Sequence, residues 1–247
     1  MPSPPRTLSI LVPVFNEREH AEPCLRRLLE AEPFISALGL TREVILVDDC
    51  STDGTTDILA RWCENHPGHR LLRHPVNLGK GAAIRTAMAA ATCDILLVHD
   101  ADLEYDPRDH PAVLRPVLEG RADAVIGSRF IGHTHRVLYF WHMVVNKGLT
   151  LLSNITTNLN LTDIECCTKA LTRQAATRIT LEENRFGFEP EIIAKLARLR
   201  LDDPPRRARI YEVAVSYDGR TYAEGKKIRA KDGVRALWVI LRHAWGG

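Results

Sequence analysis

Short apolar runs rich in β-branched residues recur through the first half of the chain, separated by stretches with helical periodicity, and this alternation limits the possible folds more than any other feature. Residues 8–14, 44–47, 70–73, 95–99 and 124–126 read as strands, and residues 24–30, 55–64 and 82–91 as the helices between them. Strands joined by helices form βαβ units, so the spacing predicts an α/β fold: an open, twisted, mainly parallel sheet flanked by helices. Beyond residue 130 the pattern loosens into a segment rich in His, Asn and aromatics (136–160). A helix over 189–199, a strand over 210–216 and an amphipathic helix over 233–244 follow. With 247 residues the chain suits one domain over 1–230 and a closing helix over 231–247, packed on the domain or lying at a membrane surface.

Composition excludes several classes. Hydrophobic residues at 45% and charged residues at 26% are ordinary for a globular protein, which argues against intrinsic disorder. Six cysteines without a C-x-x-C pair point to reduced thiols and a cytoplasmic setting. The N-terminus lacks a signal-peptide pattern, and no apolar run reaches the roughly 18–20 residues of a membrane span. The net charge of +2 conceals an uneven distribution, because from Pro205 onward ten basic residues face four acidic ones. Such a region can meet phosphates or the anionic inner face of a membrane, or be absorbed by local ion pairs. Nucleic acid is not an expected partner, since the basic residues are not interleaved with stacking aromatics.

In open α/β sheets ligands sit beyond the carboxyl ends of the strands, and four strand ends carry clustered chemistry. They are Pro13-Val-Phe-Asn-Glu17, Asp48-Asp49-Cys-Ser-Thr-Asp53-Gly54, Asn77-Leu-Gly79-Lys80-Gly81 and Asp100-Ala-Asp102-Leu-Glu104. If 100–104 is extended, alternate side chains share a face, and Asp100, Asp102 and Glu104 present three carboxylates to a hard cation such as Mg²⁺ or Mn²⁺. The plainer alternative is that these acids cap the helix starting near Pro107. Asp48 and Asp49 suit hydrogen bonds from a base and a ribose, or they build a turn with Ser51 and Asp53-Gly54. Lys80 and its flanking glycines suit a phosphate, although the full P-loop pattern is missing. G-x-G-x-x-G and G-x-S-x-G are absent, which disfavours a nicotinamide dehydrogenase and an α/β hydrolase. His133 and His135 lack further spaced ligands for zinc.

Taken in order, residues 10–17, 47–55, 77–81, 100–104 and Ile126-Gly-Ser-Arg129 resemble the inverting family 2 glycosyltransferases of the GT-A (Rossmann-like) fold, similar to dolichyl- or polyprenyl-phosphate mannosyl and glucosyl synthases. Weaker similarity continues through residues 186–191 and 217–228. The resemblance implies that Pro13, Phe15, Glu17, Asp48 and Asp49 line a nucleoside pocket, that Asp100, Asp102 and Glu104 hold the metal and donor diphosphate, and that Arg129 faces the sugar or acceptor phosphate. Arg220, Lys226 and Lys227 match a basic stretch that reaches the phosphates on closure. Glu165-Cys-Cys-Thr-Lys169 departs from the Thr-Cys-Tyr or Ser-Gly-Phe type of sequence found there, which bears on acceptor identity.

The expected reaction is a single displacement from a UDP- or GDP-hexose, with inversion. A lipid-phosphate acceptor is already anionic and needs cations to hold it, whereas a hydroxyl acceptor needs a carboxylate base, for which Asp163, Glu165 and Glu189 are the candidates. A sugar nucleotidyltransferase would want a glycine-rich basic loop after the first strand, where this chain has Pro13–Glu17. A binding module without catalysis would not need the acidic cluster. The last helix carries Val234, Leu237, Trp238, Leu241 and Trp245 at helical spacing, for core packing or for an interfacial helix.

Overall fold

The computed structural model describes residues 6–132, 136–137, 139–202, 204–221, 224 and 230–244. The strands are β1 (Thr7–Val14), β2 (Thr41–Asp48), β3 (His69–Arg73), β4 (Ile95–Val98), β5 (Ala124–Ser128), β6 (Lys169–Thr172), the short pair β7 (Arg200–Leu201) and β8 (Arg206–Arg207), and β9 (Ile210–Ala214). Around them lie α1 (Ala21–Glu30), α2 (Glu32–Ser36), α3 (Thr55–Asn65), α4 (Lys80–Ala90), α5 (His110–Leu118), α6 (Phe140–Thr157), α7 (Arg173–Arg178), α8 (Phe188–Arg198) and α9 (Ala230–Ala244).

One seven-stranded sheet has the order β3-β2-β1-β4-β6-β5-β9. The strands from β3 to β4 pair in parallel, as do β5 and β9, while β6 runs antiparallel between β4 and β5. This is the mainly parallel α/β sheet the spacing predicts, with one reversed strand it does not reveal. From β1 the chain moves outward through β2 and β3, then returns to place β4 on the other side of β1. The carboxyl ends of β1, β2 and β4 therefore lie side by side at a topological switch point, where a crevice opens.

Residues Val44 to Val47 and Ile95 to Val98 are all buried, since helices cover both faces of the central strands. The small residues Gly81, Ala82, Ala83 and Ala87 of α4 let that helix lie close to β1 and β2. They also admit the 183–185 segment. A Cβ at Gly81 would overlap the Glu183 carbonyl oxygen, and one at Gly79, where φ is +103°, would overlap that of Asn184. Gly81→Ala is therefore expected to destabilise the protein by about 1–3 kcal/mol through overpacking against backbone, which a denaturant melt would register as a lower midpoint.

The sequence pattern leaves 136–160 without an assigned element, yet α6 runs for 18 residues there. Its inner positions include the buried Thr150 and Ser153, whereas Phe140, Trp141, Val145, Leu151 and Ile155 are exposed. Leu149 and Leu152 pack on the core beside these polar residues, but with so many apolar side chains also facing outward the periodicity does not mark a single core-facing stripe. Helix α9 packs on α6 and α8, burying Ala236, Val239 and Ile240. Among the described residues no helix is long and apolar enough to cross a membrane.

Among the described residues, the basic side chains of the C-terminal region are largely drawn into ion pairs with acids elsewhere in the chain. Arg206 and Arg209 bind Asp123, Arg235 binds Glu183, and Arg242 binds Glu182. Arg235 and Arg242 also stack on the Trp238 ring, so the basic residues of α9 described here do not present a free cationic face.

Candidate active site

The loops after β1 and β2 are laced together. Asn16 N–H donates to Ser51 Oγ, Thr52 N–H to Asn16 Oδ1, Glu17 N–H to Thr55 Oγ1 and Arg18 N–H to Asp53 Oδ2. Asp48 is fully buried and accepts from Ser51 N–H and Thr56 Oγ1. Asp49 accepts the backbone N–H groups of Leu78 and Gly79 and lies 2.7 Å from His74 Nδ1. In this geometry both carboxylates shape the loops that border the crevice, and their oxygens are already occupied by loop partners. Pro13 and Phe15, both half-buried, lie at the end of β1 and just beyond it.

Residues 100–104 are not extended. Leu103 takes a left-handed conformation with φ of +65°, so the segment is a turn and the alternation argument for a shared face fails. The three acids nevertheless converge, because the turn folds them back on one another. Asp102 is pushed up to about 7, by burial first and then by the charges of Asp100 and Glu104. Arg220 reaches into this cluster, with guanidinium nitrogens 3.4 Å from Glu17, 3.1 Å from Asp102 and 3.2 Å from Glu104. Glu104 also accepts from Tyr217 Oη and Arg220 N–H, which commits both of its oxygens.

No group of three acids, histidines or cysteines among the described residues forms a ready-made metal cage. Both oxygens of Glu104 are thus engaged by Tyr217 and Arg220, those of Asp102 by the Glu104 N–H and Arg220, and Oδ2 of Asp100 by Lys80. The oxygen-rich donor set still fits a hard divalent cation. Five carboxylates, those of Glu17, Asp100, Asp102, Glu104 and Glu189, are met here by the ammonium of Lys80, the guanidinium of Arg220 and the imidazole of His20.

Lys80 links the two sides of the crevice. Its Nζ lies 2.9 Å from Asp100 Oδ2 and 2.8 Å from Glu189 Oε1, at the start of α8. Arg129 forms a bidentate pair with Asp163 at 2.7 and 2.8 Å and sits 5.0 Å from the centre of the Tyr217 ring. Asp163 is fully buried and also accepts from Asn146 Nδ2 of α6. Burial opposes its ionisation, but Arg129 outweighs burial and holds the carboxyl below the usual range. This geometry assigns Asp163 to Arg129, a poor arrangement for a base meant to take a proton from an acceptor, and spends Arg129's fork on Asp163 rather than on a phosphate. A cavity of about 700 Å³ adjoins the cluster, lined by Glu104, Tyr105, Tyr217, Arg27, Arg108 and Arg136 among others.

Residues 9–180 match the model for the family described as "Glycosyl transferase family 2". The chain belongs to that family. A dolichyl-phosphate β-glucosyltransferase of Trichomonas vaginalis is 25% identical over 96% of this chain and 72% of its own length. A dolichol-phosphate mannosyltransferase of Pyrococcus furiosus is 25% identical over 96% of the chain, which spans 62% of that relative. Glucosyl-3-phosphoglycerate synthase of Mycobacterium tuberculosis, solved with Mn²⁺, UDP and glucosyl-3-phosphoglycerate, superposes with a TM-score of 0.70 at 20% identity, covering 97% of this chain and 80% of that one. Mannosyl-3-phosphoglycerate synthase of Rubrobacter xylanophilus gives 0.69 at 17% identity, covering 98% of this chain and 73% of that one. The two superpositions establish the GT-A fold of this family 2 glycosyltransferase.

Several groups at the site escape sequence reasoning. Tyr217 lies in a matched string without an assigned role, and its hydroxyl binds Glu104. His74 bridges Asp49 and Thr86. His99, directly before Asp100, faces His110 across 3.2 Å in a buried pair, and burial lowers the pKa of both rings. Adjacency to the acidic turn is the one sequence signal that marks His99. Lys226 and Lys227, expected at the phosphates, lie outside the described residues, as do His133, His135 and Trp245.

Glu165 supplies a pH test. Its carboxyl is pushed from the ordinary 4.5 up to about 8, by burial first and then by the charge of Glu189. A carboxyl raised in the folded state favours folding fully below its unfolded value, and that contribution is lost as pH rises through the folded value. Glu165→Gln, which stays neutral, should therefore melt progressively higher than the parent as pH goes from 5 to 8. A gap that stays constant across this range would show that Glu165 is not held protonated.

Proposed function

We propose that this glycosyltransferase moves a hexose from a UDP- or GDP-linked donor to a polyprenyl phosphate, with inversion and with Mg²⁺ or Mn²⁺ held by Asp100 and Asp102. The observation that carries the reading is the folded acidic turn at the switch point, interlocked with Lys80 and Arg220. A divalent cation bound there would neutralise charge on the departing diphosphate. Asp48 and Asp49 hold the loops that border the nucleoside side, with Pro13, Phe15 and Glu17 along the β1 end. Arg220, released from its carboxylates, has the charge and reach to meet the diphosphate, a preorganised contribution of the electrostatic kind. Lys80 keeps Asp100 ionised and oriented.

Support for a lipid acceptor comes from the dolichyl- and dolichol-phosphate relatives and from α6. That helix reaches the Arg129–Asp163 pair through Asn146, carries no acidic residue, and exposes Phe140, Trp141, Leu151 and Ile155, a face suited to peripheral membrane contact. One observation favours a second reading, transfer to a hydroxyl acceptor. Glu165, with its raised pKa, has the properties of a base for such an acceptor. The decisive assay offers UDP-glucose and GDP-mannose with Mn²⁺ to undecaprenyl phosphate, dolichyl phosphate and 3-phosphoglycerate. Sugar appearing on a polyprenyl phosphate, and its loss on chelation, is the expected result. Turnover confined to the hydroxyl acceptor would replace the lipid reading with the second.

A further inference from the structure

The short ribbon of β7 and β8 places Arg200 directly opposite Arg207. Alternation along the two strands turns Leu201 and Arg206 toward the body of the protein, where Leu201 is fully buried and Arg206 binds Asp123, and leaves Arg200 and Arg207 together on the other face. Like charges directly opposed across an antiparallel pair are destabilising, and neither guanidinium has a hydrogen-bond or ion-pair partner among the described residues. Both line a cavity of about 350 Å³, together with Arg198, Thr156, Thr157 and Asn158, and its described lining includes no acid. The two threonine hydroxyls donate to the Ser153 carbonyl, and Arg198 spends one N–H on the Ala244 carbonyl at 3.2 Å. The remaining donors of the cavity are guanidinium N–H groups and the Asn158 amide. Helices α6, α8 and α9 end here, and the half-charges of their C-termini offset roughly half of the three positive charges. The surplus is what an anion would balance.

The cavity lies apart from the crevice. Helix α8 starts where Glu189 meets Lys80 and carries the chain roughly 14 Å onward to Arg198. Helix α6 covers a similar span from Asn146, at Asp163, to Thr156. We propose that Arg198, Arg200, Arg207 and Asn158 form a second anion site, built for a phosphate group and separate from the one that meets the donor diphosphate. A phosphate presents several acceptor oxygens to planar guanidinium forks, and it brings between Arg200 and Arg207 the negative charge that the ribbon lacks. A soluble phosphomonoester and a phospholipid headgroup carry this group alike. Leu151 and Ile155, 62% and 70% exposed on the last turns of α6, offer an apolar flank to the second of these.

Glycerol 3-phosphate and vesicles of phosphatidylcholine containing phosphatidic acid present the same phosphate in soluble and in lipid form. Calorimetry with the first and flotation with the second, on the parent and on Arg200→Gln with Arg207→Gln, test the site. The parent should bind at least one of the two probes, and the double variant should bind it about 10-fold or more weakly. Loss on both probes assigns a lipid-borne phosphate, and loss on glycerol 3-phosphate with no vesicle binding by the parent assigns a soluble one. Arg26→Gln with Arg61→Gln makes an equal change of net charge on α1 and α3 and should keep the parent's affinity. Arg200→Glu sets opposite charges across the ribbon, so it should melt at or above the parent while binding neither probe. Parent protein that binds neither probe, a double variant that keeps the parent's affinity, or equal loss in the Arg26 and Arg61 control would overturn the proposal. An Arg200→Glu variant that melts well below the parent would overturn it too, by showing that Arg200 serves the fold.

Discussion

Asp102→Asn is expected to lower sugar transfer by about 10²–10³-fold while leaving the melting temperature unchanged or higher. Both halves follow from one arrangement. The Asp102 carboxylate is crowded by Asp100 and Glu104 in a site that desolvates it, so in the ligand-free protein its charge is a burden relieved in part by Arg220. Removing that charge eases the fold. It also takes away an oxygen that would hold the cation facing the diphosphate, and the loss falls on the step in which negative charge builds on the leaving group. Transfer rates at saturating donor and acceptor, measured beside a thermal melt, separate the two effects. A variant with more than a tenth of parental turnover would show that Asp102 is not central to leaving-group stabilisation. A variant that melts many degrees lower would show that the acid is structural.

The central sheet is legible from sequence because its strands are buried on both faces, and a continuous apolar run such as Val44 to Val47 has few other uses. The positions of the four clusters follow from the sheet, since parallel strands put their carboxyl ends on one edge. What the sequence hides is how each loop spends its polar atoms. Asp48 and Asp49 sit beside the crevice, but their partners, Thr56, Leu78 N–H and Gly79 N–H, are settled by loop packing rather than by spacing. The acidic turn is hidden for a related reason. A period-2 reading of 100–104 assumes extended backbone, and the left-handed Leu103 breaks that assumption while still gathering the acids. Strand β6 is four residues long, too short for its alternation to register, and α6 is obscured by its outward apolar face. Glu165 and Glu189 are 24 positions apart in sequence, and the charge that joins them becomes apparent once β6 and α8 are in place.

The ion pair between Arg129 and Asp163 should give the largest stability effect of any single substitution near the site. Asp163→Ala is expected to cost about 3–5 kcal/mol, because it leaves a largely buried guanidinium without the carboxylate that forks onto it, and strips Asn146 and the Arg129 N–H of a shared acceptor. In a domain of this size such a loss corresponds to a fall in melting temperature of roughly 10 °C or more. The same pair should make the protein acid-labile. A carboxyl held low in the folded state contributes stability above its unfolded pKa and loses it as pH falls through the folded value, so Asp163→Ala should narrow its deficit against the parent in strongly acidic buffer. A second substitution separates stability from function. Replacing both partners, Asp163→Leu with Arg129→Met, removes the unpaired charge, and well-packed apolar replacements of buried ion pairs are often neutral. If the double variant recovers the melting temperature but turns over slowly, Arg129 contributes to transfer as well as to the fold. If it recovers both, the pair is architectural, and the acceptor phosphate must be met by other cations.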